Sequence, residues 1–143
     1  MDISDAASII SLVVAGLASL YSRWAWSEAK RANALSLHKH QKDIYDSFLE
    51  LKMHMAQYSD TADISSVSKF YYPSRNAKFY YERSIFEDLE KYYNLCFHIA
   101  DKNRTSVDAT VRKDLMRKAA EAKELAKTLE SRIIDVISVM NDS

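Results

Sequence analysis

Apolar positions are arranged in three different ways along this chain, and each arrangement predicts a different kind of helix. From Ala6 to Ser22 they run almost without a break, and no charge falls between Asp5 and Arg23. As an α-helix, the ~24 residues from Ile3 to Trp26 would extend ~36 Å, enough to cross a hydrocarbon core of ~30 Å. Residues 1–26 are therefore expected to be a transmembrane anchor. Farther on, Leu37, Ile44, Phe48, Leu51, Met55 and Tyr58 form a seam at helical spacing, with Gln41 its polar member. Neither Gly nor Pro interrupts Leu17 to Gln57, and Ala29, Lys30, Arg31, Ala32 and Leu35 are good helix formers. One continuous helix is expected to run from the anchor to about Tyr58. The third arrangement is the strictest. Leu115, Ala119, Ala122, Ala126, Leu129, Ile133, Val136 and Met140 alternate in steps of four and three, the heptad seam of a bundle or coiled coil. Its small central residues permit close helix approach.

Between these helices the pattern loosens. Ser59 to Asn76 is rich in Ser, Thr and Asp and reads as a loop with a short helical turn. A second helix is expected from about Ala77 to Asp101, with Phe79, Phe86, Leu89, Tyr93, Cys96 and Ala100 facing inward. Asn103 to Ser106 reads as a turn, with Thr105 or Ser106 capping the last helix. Ile134 and Ile137 widen the apolar face of that helix near its end, which calls for cover by another helix or another subunit.

Composition agrees with long helices. The 143 residues include one Gly and one Pro, too few for a sheet joined by tight turns. The expected fold is all-α, with the anchor continuing into a cytosolic bundle of about three long helices over residues 27–143. Twenty Lys and Arg balance twenty Asp and Glu. A general nucleic-acid binder carries a basic excess, so that class is disfavoured. The lone Cys96 cannot form an intrachain disulfide and reads as a small core residue suited to a reducing compartment.

Charge also orients the anchor. Asp2 and Asp5 precede it, whereas Arg23, Lys30, Arg31, Lys39 and Lys42 follow it against Glu28 alone. The positive-inside rule places the N-terminus outside and the C-terminal domain in the cytoplasm. The same charge order argues against a cleaved signal peptide. Tyr21, Trp24 and Trp26 suit the membrane interface, and Arg23 can reach lipid phosphates. On one face of the helix Ser8, Ser11, Ala15, Ala18, Ser19 and Ser22 form a small-residue stripe that would let a second helix approach. The stripe points to a homo-oligomer, as a dimer or a ring whose serines could line a narrow pore. Serines in a monomeric span would instead bond their own backbone.

Candidate chemistry is sparse. Lys69-Phe70-Tyr71-Tyr72 recurs as Lys78-Phe79-Tyr80-Tyr81, with Arg75 and Arg83 nearby. Such a segment can bind a protein partner, stack nucleic-acid bases, or fold its rings back on the helices. His38, His40, His54 and His98 lack the partners of a tetrahedral metal site, and one Gly cannot build a phosphate-cradling loop, so no metal or cofactor is expected.

Two resemblances follow from these residues. Arg31 and His38, separated by six residues, resemble the arginine–histidine pair of HEPN-type helical ribonucleases, in which pairs from two protomers activate the ribose hydroxyl. That family commonly has a polar residue after the arginine; here Ala32 follows and Asn33 is displaced by one. The order of parts is similar to small bacterial single-pass proteins, in which a short anchor leads into a basic helix of the form Ala29-Lys30-Arg31-Ala32-Asn33. It also resembles the membrane-embedded, HEPN-like accessory protein of some RNA-targeting CRISPR systems. That resemblance implies an oligomeric, non-enzymatic, pore-forming protein of a bacterial inner membrane acting in anti-phage defence. The alternatives are an RNA-cleaving dimer using Arg31 and His38, and a soluble adaptor with its first helix buried.

Overall fold

A computed structural model describes residues 2–139. The elements are α1 (Ile3–Tyr58), a 3-10 turn (Ser59–Thr61), α2 (Ile64–Ser68), α3 (Tyr71–Asn76), a second 3-10 turn (Ala77–Phe79), α4 (Arg83–Asn103) and α5 (Ala109–Val139). There is no strand among the described residues, and the fold is all-α. The chain divides into two compact units, one ending at Leu37 and the other beginning at His38. The boundary expected after Trp26 marks the end of apolar sequence, whereas the boundary at His38 marks where packing begins.

The first unit is the Ile3–Leu37 part of α1. Its first turn is closed by the Asp2 carbonyl, which accepts from the amides of Asp5 and Ala6 at 3.0 and 3.2 Å. Helix propensity and internal hydrogen bonds account for this stretch, because none of its apolar span is buried.

The second unit is built around the seam of α1. Gln41, Ile44, Phe48, Leu51 and Met55 are buried, while Leu37 and Tyr58 at its ends are not. Phe48 is fully enclosed, with its ring 5.4 Å from Tyr92 of α4 and 6.3 Å from Phe70. On α5, Leu115, Ala122, Ala126, Leu129 and Ile133 are buried as the heptad predicts; Ala119 and Val136 are half-buried, and Met140 lies outside the described residues. Ion pairs join the helices around this core. Lys52 of α1 pairs with Glu130 of α5, and Lys91 of α4 lies 3.5 Å from Glu121 of α5. Arg132 bonds Asp88 at 2.5 Å and the Ser84 hydroxyl at 2.6 Å, holding α5 to the start of α4.

Three sequence expectations are corrected. The segment expected to be a loop, Ser59 to Asn76, is mostly helical, folded as a 3-10 turn, α2 and α3. Asp63 starts α2 by accepting from the Ser66 amide at 3.0 Å and from the Ser65 hydroxyl, and these bonds hold its carboxyl below the usual range. The second long helix starts at Arg83 rather than Ala77, so Phe79 lies in a 3-10 turn and is 69% exposed. The face of α4 that is buried includes Ile85, Tyr92 and Ile99 beside Leu89, Tyr93, Cys96 and Ala100. The third correction concerns the cap of α5. Asp108 supplies it, accepting from the Val111 amide at 2.8 Å, whereas the Thr105 hydroxyl bonds back to the Lys102 carbonyl at the end of α4.

Replacing Phe48 with Ala should cost about 3–5 kcal/mol, the range for emptying an aromatic site in a closed core. Chemical denaturation of the two proteins measures it, and a loss below about 1 kcal/mol would mean the core is not closed around this ring. A second expectation concerns pH. Burial pushes the Tyr92 and Tyr81 hydroxyls upward and the Cys96 thiol up to about 12, the thiol's bond with Tyr92 opposing in part. The unfolded chain releases these protons first, near pH ~8.5 for Cys and ~10 for Tyr. Their contribution is complete below those values and lost as pH rises toward the folded ones. The denaturation midpoint should therefore fall above about pH 9, with a shallower fall in Cys96→Ala. A flat profile to about pH 11 contradicts this reading.

Candidate membrane span and aromatic surface

In the apolar span, Ile9, Ile10, Leu12, Val13, Val14, Leu17 and Leu20 are each more than half exposed. This helix alone among the described elements is long and apolar enough to cross a membrane. The small-residue stripe is also open. Three of its serines spend their hydroxyls within the helix, Ser8 on the Ser4 carbonyl, Ser11 on Ala7 and Ser22 on Ala18, at 2.8, 2.9 and 2.8 Å. That is the local bonding expected when no neighbour competes. Ala15, Ala18 and Ser19 are exposed beside them. At the far end the rings of Tyr21 and Trp24 lie 6.1 Å apart, and Lys30 sits 5.6 Å from the Trp26 ring. Arg23 and Arg31 are exposed.

The aromatic–basic segment belongs to the second unit, and its two copies have different fates. In the first, Phe70 is buried against Phe48, while Tyr71 and Tyr72 remain exposed. In the second the order is reversed: Phe79 is exposed and Tyr81 is 7% exposed. Tyr81 is thus a core residue. Its hydroxyl donates to the Gln41 carbonyl at 2.6 Å, and the Gln41 side chain, 4% exposed, donates to the Tyr80 carbonyl at 2.8 Å. Gln41, the polar exception in the α1 seam, is therefore the latch that holds the second copy to α1. His40 completes the joint by stacking on Tyr80 with ring centres 4.7 Å apart.

The basic groups of the segment are mostly engaged. Lys69 lies 3.6 Å from Glu50, Arg75 pairs with Glu90 while lying over the Tyr71 ring, and Arg83 lies 2.6 Å from Glu87. Lys78 sits 4.9 Å from the Phe79 ring. Paired cations are poor phosphate ligands. An open groove of about 350 Å³ runs beside them, lined by His40, Asp43, Tyr72, Pro73, Asn76 and Tyr80. The carboxylate of Asp43 in that groove would further repel a nucleic-acid backbone. The groove offers aromatic and hydrogen-bonding contacts beside that one carboxylate.

His38 is half-buried with its Nδ1 unpartnered, and the Gln41 Oε1 is likewise buried without a partner. Among the described residues no three His, Cys, Asp or Glu side chains converge as metal ligands. No family model matches this chain, and no curated protein or solved structure is similar to it.

Substituting Tyr81 with Phe deletes one buried hydrogen bond and keeps the ring. The loss should be about 1 kcal/mol, and Gln41→Leu should cost more because it strands the Tyr80 carbonyl. Equal stability of Tyr81→Phe and wild type would mean that the latch contributes nothing.

Proposed function

We propose that this protein is a membrane-anchored, self-associating helical protein whose second unit works in the cytoplasm. The observation that carries the reading is the uncovered apolar stretch of α1. Burying one aliphatic side chain is worth about 1.5–3 kcal/mol, so the row from Ile9 to Leu20 represents on the order of 10 kcal/mol of unclaimed transfer energy. That is comparable to the whole stability of a typical domain, about 5–15 kcal/mol. A bilayer supplies the missing environment. Tyr21, Trp24, Trp26 and Arg23 are the residues that would meet the cytoplasmic interface.

Self-association is supported by the open stripe and by Gly16. A Cβ added at Gly16 would meet nothing within 4 Å, so packing within the chain does not call for glycine there. Glycine costs about 1 kcal/mol relative to alanine inside a helix. Close approach of a second helix in the bilayer would offset that cost, with Gly16 about 60° around the helix from Ser19, beside the edge of the small-residue stripe. A ring of such helices would be a pore, the finer form of the proposal, in keeping with the resemblance to membrane accessory proteins of anti-phage defence.

Fractionation with a carbonate wash, followed by sizing in mild detergent, tests both levels. The protein should stay in the washed membrane pellet and elute as a discrete multimer. Recovery in the soluble fraction would sink the anchor. Gly16→Leu, and separately Ala15→Leu with Ser19→Leu, should shift the multimer toward monomer while leaving its helical content unchanged. Wild-type size in both variants would show that this face is not the contact.

A further inference from the structure

We propose that the second unit contains a binding site for a small apolar molecule bearing one carboxylate, seated between α1, α4 and α5. The site is a recess of about 230 Å³, more enclosed than the groove beside Tyr72. Met55 and Ala56 line it from α1, Ala119 and Ala126 from α5, and Tyr92 from α4. Its origin is legible in the heptad seam of α5. That seam has large side chains at Leu115, Leu129 and Ile133, but alanines at 119, 122 and 126. Opposite them α1 offers another alanine, Ala56. Small residues face one another across the helices, and the volume a leucine pair would fill is left open.

Charge decides what the recess takes. Two lysines border it: Lys52, one turn before Met55 and Ala56, and Lys123, between Ala119 and Ala126. Lys52 is already paired with Glu130. Lys123 is exposed and has no carboxylate partner among the described residues. An apolar recess with one uncommitted ammonium group at its border has the polarity of a small-molecule site, mostly apolar with a few polar groups fixing orientation, in a volume suited to a small ligand. The complementary ligand has a small apolar body and a single anionic head. A medium-chain fatty acid has that chemistry.

Octanoate is a suitable probe, with octanamide as its uncharged counterpart. The full chain is reconstituted in phosphatidylcholine nanodiscs, and binding is read by equilibrium dialysis with empty nanodiscs subtracted. Saturable octanoate binding at one site per chain is expected. Ala119→Leu fills the recess and should weaken binding by about tenfold or more without lowering the melting temperature. Ala56→Leu acts from the exposed side of the same recess and reports the same loss should Ala119→Leu not fold. Lys123→Gln should weaken octanoate by about fivefold, the size of a partly exposed charge contact, and leave octanamide unchanged. No saturable octanoate binding by wild type overturns the proposal. So does binding that survives both filling substitutions, or a Lys123→Gln variant that loses octanoate and octanamide equally.

Discussion

The one glycine of this chain lies inside a helix, at Gly16, so every corner must be turned by a residue that carries a Cβ. That constraint shapes the second unit. At the end of α1 the reversal falls on Ser59, whose φ of 49° is in the left-handed region that glycine normally fills. Side chains hold the chain there. The Thr61 hydroxyl bonds the Tyr58 carbonyl at 2.7 Å, the Asp63 amide bonds His54 Nε2 at 3.0 Å, and Arg112 of α5 grips Asp60 at 2.7 Å. Instead of one tight turn the chain takes a series of short helical segments, each starting where the last fails. The aromatic joint between Gln41 and the Tyr80-Tyr81 pair closes that series against α1.

Within α1, helix formation and packing are separate questions. The whole of Ile3–Tyr58 is helical because nothing in the sequence interrupts it. Only the seam from Gln41 to Met55 is buried within the chain. From Ile9 to Leu20 the large apolar residues spread over the whole helix circumference outside the small-residue stripe, too broad an arc for a single neighbouring helix to cover. As proposed above, lipid would cover this stretch and a second helix would meet its small-residue side.

How legible the fold was in the sequence varied with how local the cause was. The α1 seam and the α5 heptad could be read directly, because one helix face meets one neighbour and the period shows. The face of α4 was read only in part. Ile85, Leu89, Tyr92, Cys96 and Ile99 step by four and three as faithfully as Phe86, Leu89, Tyr93, Cys96 and Ala100. A helix packed on two sides buries the first row and all of the second but Phe86, which is half-buried, and periodicity selects one. Phe79 keeps the same helical period seven residues ahead of Phe86, which predicts an inward place. It lies in a 3-10 turn, and Tyr81 takes the buried place. The role of Gln41 was not readable, since its partners lie 39 and 40 positions away. The four-residue repeat was visible, but nothing local indicates that one copy buries its Phe and the other its final Tyr.

In the second unit, most charges that could have made a site face one another. Lys52, Lys69, Lys91, Arg75, Arg83, Arg112 and Arg132 all have carboxylate partners. Exposed pairs of this kind contribute little stability, about 0–1 kcal/mol each. Their larger effect is to cancel the field that would otherwise draw in a phosphate backbone. Beside unpaired surface cations such as Lys123, the exposed apolar features are the aliphatic surface of the first unit, the rings of Tyr72 and Phe79, and the recess between the alanines of α1 and α5. Apolar surface is satisfied by covering it. As proposed above, a bilayer and a second protomer would cover the first unit, and a small apolar ligand would fill the recess. Residual energy of this kind drives association, so the properties most open to change by substitution are where the protein resides and what it assembles with.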